Sequence, residues 1–258
     1  MAEPQCVSLP NGNKEWRVND ELHREDGPAI VKADGAQIWY CDGKLHRENG
    51  PAVTWADGSQ FWYFDGKLHR DDGPAEILAD GGRSWYRDGK RHRDDGPATI
   101  EANGNKAWYY NGNLHREDGP AAIWANGDLC WCRDGVLHRE DGPAFLCANG
   151  DKRWYRNGVL DRENGPAVIV VGEKMEWWRL GMRHRAFEDE INQYSDGYVV
   201  DAFKLQPAIV YSDGSREWWV KGERHNIDGA PAIVMANGHQ EWWENGKKIP
   251  QNSPNIGF

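Results

Sequence analysis

The sequence predicts an all-β protein: an elongated tandem β-hairpin repeat array laid out as a single twisted antiparallel sheet. Three observations predict it. Tryptophan falls at 16, 39, 62, 85, 108, 131, 154 and 177, each step being 23 residues. The tripeptide Gly-Pro-Ala recurs on the same step, from Gly27 to Ala167. Most repeats also carry two Asx-Gly dipeptides, such as Asp34-Gly35 and Asp42-Gly43. Asx-Gly between short apolar runs is the strongest local hairpin signal, because a type I′ turn needs positive φ at both central residues.

Taken in order, a unit reads Pro-Ala, an apolar run, Asx-Gly, three variable residues, Trp-Tyr, one further residue, Asx-Gly, then Lys-Leu-His-Arg-Glu-Asp-Gly. The segments between turns are too short for helices. The first strand alternates, so Ala52, Thr54 and Ala56 are expected on one face, as are Ala98, Ile100 and Ala102, and Ala167, Ile169 and Val171. The opposite face changes from unit to unit: Lys32, Trp55, Leu78, Glu101, Trp124, Cys147, Val170, Tyr211, Met235. Trp and the Tyr after it point to opposite faces. A uniform face suits packing between repeats, and a variable one suits recognition.

The register then jumps. Trp218 lies 41 residues after Trp177, and His225 lies 41 after His184, so 18 residues are inserted between Arg185 and Pro207. The expected organisation is regular repeats over 1–185, an insertion loop over 186–206, and the last repeats with a tail over 207–258.

Composition restricts the function classes. The net charge is -10, with 41 acidic and 31 basic residues interleaved along the chain. No basic face stands out, which argues against nucleic acid and anionic membranes as partners. Cys6, Cys41, Cys130, Cys132 and Cys147 fall at different places in the repeat and show no pairing framework, which favours a reducing compartment. MAEPQCVSLPNG has no apolar signal-peptide core, and no run reaches membrane-spanning length, so a cytoplasmic protein, of the cell or of an infected host, is expected.

The segment Trp85-Tyr86-Arg87-Asp88-Gly89-Lys90-Arg91-His92 resembles the MORN repeat. The resemblance covers residues from about 4 to 249, and it departs from the usual form in that Arg, not Gly, follows the His. Arrays closing with His-Arg-Glu-Asp-Gly-Pro-Ala also look like proteins of large viruses and bacteriophages. The resemblance implies a MORN-like antiparallel array acting as a scaffold, and the repeats leave no room for an accompanying catalytic domain.

His-Arg-Glu-Asp invites a catalytic or metal reading. A ligand set repeated at intervals of about 10 Å cannot converge on one ion. The segment is therefore read as a structural turn, in which Arg pairs with nearby carboxylates and Asp26-type residues cap the backbone. Asp161, standing where His is expected, agrees with that reading. Cys130 and Cys132 flank Trp131 and point to one face, as a thiol cluster or as ordinary small-residue packing.

Toward the C-terminus the Trp-Tyr pair becomes Trp-Trp, each preceded by Glu. Glu176 with Trp178, Glu217 with Trp219, and Glu241 with Trp243 share a face. Such rows suit a cationic peptide or a sugar ring, and equally suit rings that simply cover the sheet. In the insertion, Phe187, Tyr194, Tyr198 and Phe203 are further candidates for partner contact. The expectation is a non-enzymatic scaffold that binds a protein, with no cofactor and no metal, and with homodimerisation through the sheet ends left open. The alternatives are a carbohydrate- or cell-wall-binding aromatic array and a self-assembling structural protein.

Overall fold

A computed structural model describes residues 3–184, 206–226 and 229–250. The described residues form thirty-eight short strands and no helix. Two compact units divide the chain, one of residues 1–126 with 133–135, the other of residues 127–132 with 136–258. The insertion, apart from Gln206, lies outside the described residues.

One repeat of the first unit shows the construction. Strand Ile30–Val31 pairs antiparallel with Gln37–Ile38, which pairs in turn with Val53–Thr54 of the next repeat. The ladder continues this way from Gln5–Ser8 to Ala122–Ile123. In the second unit an equivalent ladder runs from Leu129–Cys130 to Gln240–Glu244.

The all-β antiparallel hairpin array is as expected, and beside each ladder stands a row of separate two-stranded hairpins. Tyr40–Cys41 pairs with Lys44–Leu45, and Trp178–Arg179 pairs with Met182–Arg183. Tryptophan joins the two rows. The Trp39 N–H donates to the Ala52 carbonyl in the ladder (2.7 Å), while its own carbonyl accepts from His46 N–H in the hairpin (3.2 Å). The tryptophan backbone is thus the corner at which the chain leaves one ladder for the other. Successive hairpins are stitched by Gly66 N–H to the Leu45 carbonyl (2.9 Å) and Arg47 N–H to the Tyr63 carbonyl (3.2 Å).

The two Asx-Gly turns differ from each other. Asp42 (φ 47°) and Gly43 (φ 72°) form the expected type I′ turn. At Asp34-Gly35 only the glycine takes positive φ, at 92°. Gly35 N–H donates to the Lys32 carbonyl and Lys32 N–H to the Ala36 carbonyl, which makes a type I turn closed by a glycine bulge. The reason is local: the Asp34 carboxylate accepts the Ala36 N–H (3.0 Å), an Asx turn that keeps Asp34 out of the left-handed region.

The three-residue turn also corrects the expected face. Ala56, Ala102 and Val171 are exposed, because the paired strand has ended and the turn has begun. The constant buried positions are the alanines of Gly-Pro-Ala. Ala29, Ala52, Ala75, Ala98 and Ala121 in the first unit, and Ala144 and Ala167 in the second, are 0% exposed. Ile209 is the only large side chain fully buried among the described residues, so there is no deep core.

What replaces a core is an arginine stacked on the repeat tryptophan, from Trp16 to Trp154. The Arg70 guanidinium lies 4.2 Å over the Trp62 ring, donates to Asp72 (2.8 Å) and reaches the Pro74 carbonyl (3.3 Å). Hydrogen bonding and charge from Arg70 hold the Asp72 carboxyl below its ordinary 3.8. Gly73 covers the guanidinium from the other side, and a Cβ there would meet Arg70 Cζ at 3.0 Å. Arg139 over Trp131 (4.1 Å) and Arg162 over Trp154 (3.9 Å) repeat the stack in the second unit.

Histidine links neighbouring repeats. His69 Nδ1 accepts the Asp88 N–H (3.2 Å), and His138 Nδ1 accepts the Asn157 N–H (3.2 Å). At position 161 the carboxylate of Asp161 accepts the Leu180 N–H instead (3.0 Å). The requirement is therefore an acceptor for the backbone N–H of the next turn, not an imidazole.

Two outcomes test these roles. Gly73→Ala is expected to push Arg70 off Trp62 and to destabilise the chain by about 1–3 kcal/mol in denaturant titration. His138→Asp, with Arg156 placed as Arg179 is for Asp161, is expected to stay within about 1 kcal/mol of the native chain, and His138→Ala to lose about 1–2 kcal/mol. Equal losses from both would show that the acceptor is not what matters.

Candidate functional site

In the second unit each expected Glu/Trp pair is brought together by a hydrogen bond. The indole N–H groups of Trp178, Trp219 and Trp243 donate to Glu176 (2.8 Å), Glu217 (3.0 Å) and Glu241 (2.9 Å). Alternation places Glu and the second Trp two residues apart on one face, and the tryptophan corner between them leaves the indole within reach.

The cation-binding positions of these pairs are held from within the chain. Arg183 lies over Trp178 (4.9 Å) and Trp219 (5.0 Å), and Arg224 lies over Trp219 (5.1 Å) and Trp243 (5.1 Å). Glu176, only 4% exposed, is 3.0 Å from Lys174 Nζ and 3.4 Å from Arg183 Nε. Burial pushes its carboxyl up, yet Lys174, the Trp178 indole and Arg183 outweigh burial and hold it below the ordinary 4.5. Glu217 accepts from Arg224 (3.2 Å) and from the Tyr211 hydroxyl (2.9 Å), and burial together with Glu217 pushes Tyr211 up to about 12. Glu241 is brought down to about 2 by hydrogen bonds from Lys248 and Trp243.

Arg183, Arg224 and Lys248 each follow their Glu by seven residues, at the position that elsewhere holds Leu45 or Leu68. That co-substitution is visible in the sequence and escaped the reading of the Glu/Trp rows. Phe187, Tyr194, Tyr198 and Phe203 lie outside the described residues.

A different row is open. The single residue between Trp-Tyr and Asx-Gly reads Cys41, Phe64, Arg87, Tyr110 in the first unit. It lies between successive His-Arg turns: the Phe64 ring is 4.7 Å from that of His46 and 6.2 Å from that of His69. Tyr110 stands likewise between His92 (4.8 Å) and His115 (6.1 Å). Phe64 is 53% exposed and Tyr110 50%. Phe64 sits in a cleft of about 620 Å³ walled by Arg47, Glu48, His69, Arg70 and Asp71. Arg87 sits in the next one, of about 360 Å³, and donates to Asp94 (2.9 Å).

These clefts hold no catalytic arrangement among the described residues. Their arginines stack on tryptophan, their histidines accept backbone N–H groups, and Asp72 and Asp95 bind the adjoining arginines. His23, Cys41 and Asp42 form the one group of three metal-ligating side chains among the described residues. Cys130 and Cys132 are buried, with sulfurs 3.2 Å apart. Among the described residues no helix is long and apolar enough to cross a membrane.

No protein-family model matches the chain, and no curated protein matches it.

Arg183→Leu leaves the Glu176 carboxylate short of a partner and is expected to cost about 1–3 kcal/mol near neutral pH. Glu176→Ile with Arg183→Leu reproduces the Ile38/Leu45 pairing, and a double-mutant cycle is expected to return about 1 kcal/mol or more of the loss. Because the folded state depresses the Glu176 carboxyl, its contribution is present above the ordinary 4.5 and fades as acid protonates it. The single-variant penalty should therefore shrink in acid; a penalty independent of pH would assign the loss to packing alone.

Proposed function

We propose that the chain is a non-enzymatic repeat scaffold that engages a protein partner through the residues between its Trp-Tyr pairs and type I′ turns. One observation carries this reading. The ladder, the Arg–Trp stacks and the histidine links repeat with little change, whereas this position varies and is rich in aromatic and arginine side chains: Cys41, Phe64, Arg87, Tyr110, Arg133, Arg156 and Arg179, with Phe64 and Tyr110 exposed. Aromatic residues and arginine dominate the energetics of protein–protein contacts, and rigid clefts hold them without the cost of ordering a loop. In this reading Glu176/Trp178, Glu217/Trp219 and Glu241/Trp243 serve the scaffold itself, since their charges are already matched by Lys174, Arg183, Arg224 and Lys248.

The test is site-specific photo-crosslinking in cells that express the full chain, with the crosslinking residue at Phe64, at Tyr110, or at Lys106, which is exposed on the ladder. One protein captured from 64 and 110 but not from 106 is expected. Phe64→Ser with Tyr110→Ser should weaken its binding by about tenfold or more at unchanged thermal stability. Capture from Lys106 alone would move the contact to the ladder. No captured protein, together with oligosaccharides that quench the tryptophan fluorescence, would replace this reading with carbohydrate binding.

A further inference from the structure

We propose that His23, Cys41 and Asp42 form a binding site for one zinc-like divalent cation at the junction of the first two repeats. The three ligand atoms lie within 4.8 Å of one another. His23 Nδ1 is 2.9 Å from Asp42 Oδ1, and Cys41 Sγ is 3.9 Å from Asp42 Oδ2. Tetrahedral coordination, with bonds near 2.0–2.3 Å, sets its ligands roughly 3.3–3.7 Å apart, so shifts well under 2 Å complete the geometry. A mixed nitrogen, sulfur and oxygen set of this kind suits zinc and its neighbours better than magnesium or calcium. Three protein ligands leave the fourth position to water.

The repeat makes this junction singular. Every His of the ladder faces the turn of the following repeat, but the residue before that turn is Phe64, Arg87, Tyr110 or Arg133 at the other junctions of the first unit. Phenylalanine and tyrosine bring no strong ligand, and arginine brings a competing positive charge. Cys41 alone brings a thiol to a place where the array has already fixed an imidazole and a carboxylate. Glu25, whose carboxylate is 3.8 Å from His23 Nε2, adds negative charge beside the group.

Binding exchanges a proton for the metal: a coordinating thiol gives up its proton, so the ion and the thiol yield a metal–thiolate bond and one released proton. His23 Nδ1 now accepts the Asp42 N–H at 3.1 Å, and coordination would take that lone pair. Asp42 is exposed, so water can receive the freed N–H at little cost.

The probe is cobalt(II) added to the full reduced chain, because its bonds to thiolate give a sulfur-to-metal charge-transfer band. One band-forming ion per chain is expected, with release of about one proton per ion. Cys41→Ser should abolish the band and weaken binding about tenfold or more. Cys41→Phe, which installs the residue found at the next junction, should do the same in a chain whose fold accepts that side chain. Cys6→Ser should leave the band intact. A native chain without the band, or a band that survives Cys41→Ser and disappears with Cys130→Ser and Cys132→Ser, would overturn the assignment.

Discussion

The stack of arginine on tryptophan in a slot that only glycine leaves open is the contact on which the other features depend. A chain that buries a single large aliphatic side chain completely has little apolar area to hold it together. Each tryptophan therefore carries several roles. Its N–H serves the ladder, its carbonyl serves the hairpin, and its ring receives the guanidinium of the turn that follows. A cation–π contact contributes about 0.5–2 kcal/mol, depending on how dry it is. One such contact is modest, and its recurrence at Trp16, Trp39, Trp62, Trp85, Trp108, Trp131 and Trp154 makes it the main packing device of the described repeats. Gly-Pro-Ala follows from it directly. Gly makes room for the guanidinium, Pro offers a carbonyl to it, and Ala fits the fully buried position whose carbonyl receives the preceding tryptophan N–H.

Repeats joined in this way depend mainly on their nearest neighbours. That explains which positions tolerate change. His23, His46, His69, His92 and His115 all accept a backbone N–H from the next turn, so any side chain with an acceptor in the same place is adequate, as Asp161 shows. Asn226 makes a parallel replacement where arginine stood, reaching the Pro231 carbonyl at 2.7 Å. Substitution is constrained by the hydrogen bond to be made rather than by residue identity. The repeated His-Arg-Glu-Asp segment is a joint, and its reactive appearance is incidental to that role.

The same logic separates scaffold from surface. A charge entering the hairpin ladder arrives with its counter-charge: Arg183 with Glu176, Arg224 with Glu217, Lys248 with Glu241. Such sets keep each carboxylate paired within the hairpin row. The position between Trp-Tyr and Asx-Gly is freer in side-chain type, because it stands in a cleft between turns, where Phe64 is half exposed and Arg87 pairs with Asp94. Aromatic, basic and thiol side chains are all accommodated there, and each gives its cleft a different chemistry.

The sequence by itself determined the all-β repeat, its 23-residue step, the type I′ turn at Asp42-Gly43 and the structural nature of the His-Arg turn, because these rest on local backbone preferences and on counting. It could not show that Asp34-Gly35 closes differently, since that depends on which backbone N–H the Asp34 carboxylate captures. Nor could it show that Arg183 and Arg224 already fill the spaces between Trp178, Trp219 and Trp243, although the matching seven-residue spacing was there to be read. Tertiary structure decided which residues meet across repeats. His23 and Cys41 are 18 positions apart in the chain and become neighbours only because one hairpin is stitched to the next. Contacts along a strand follow from alternation alone, whereas contacts between strands need the register, and the register is set by the completed ladder.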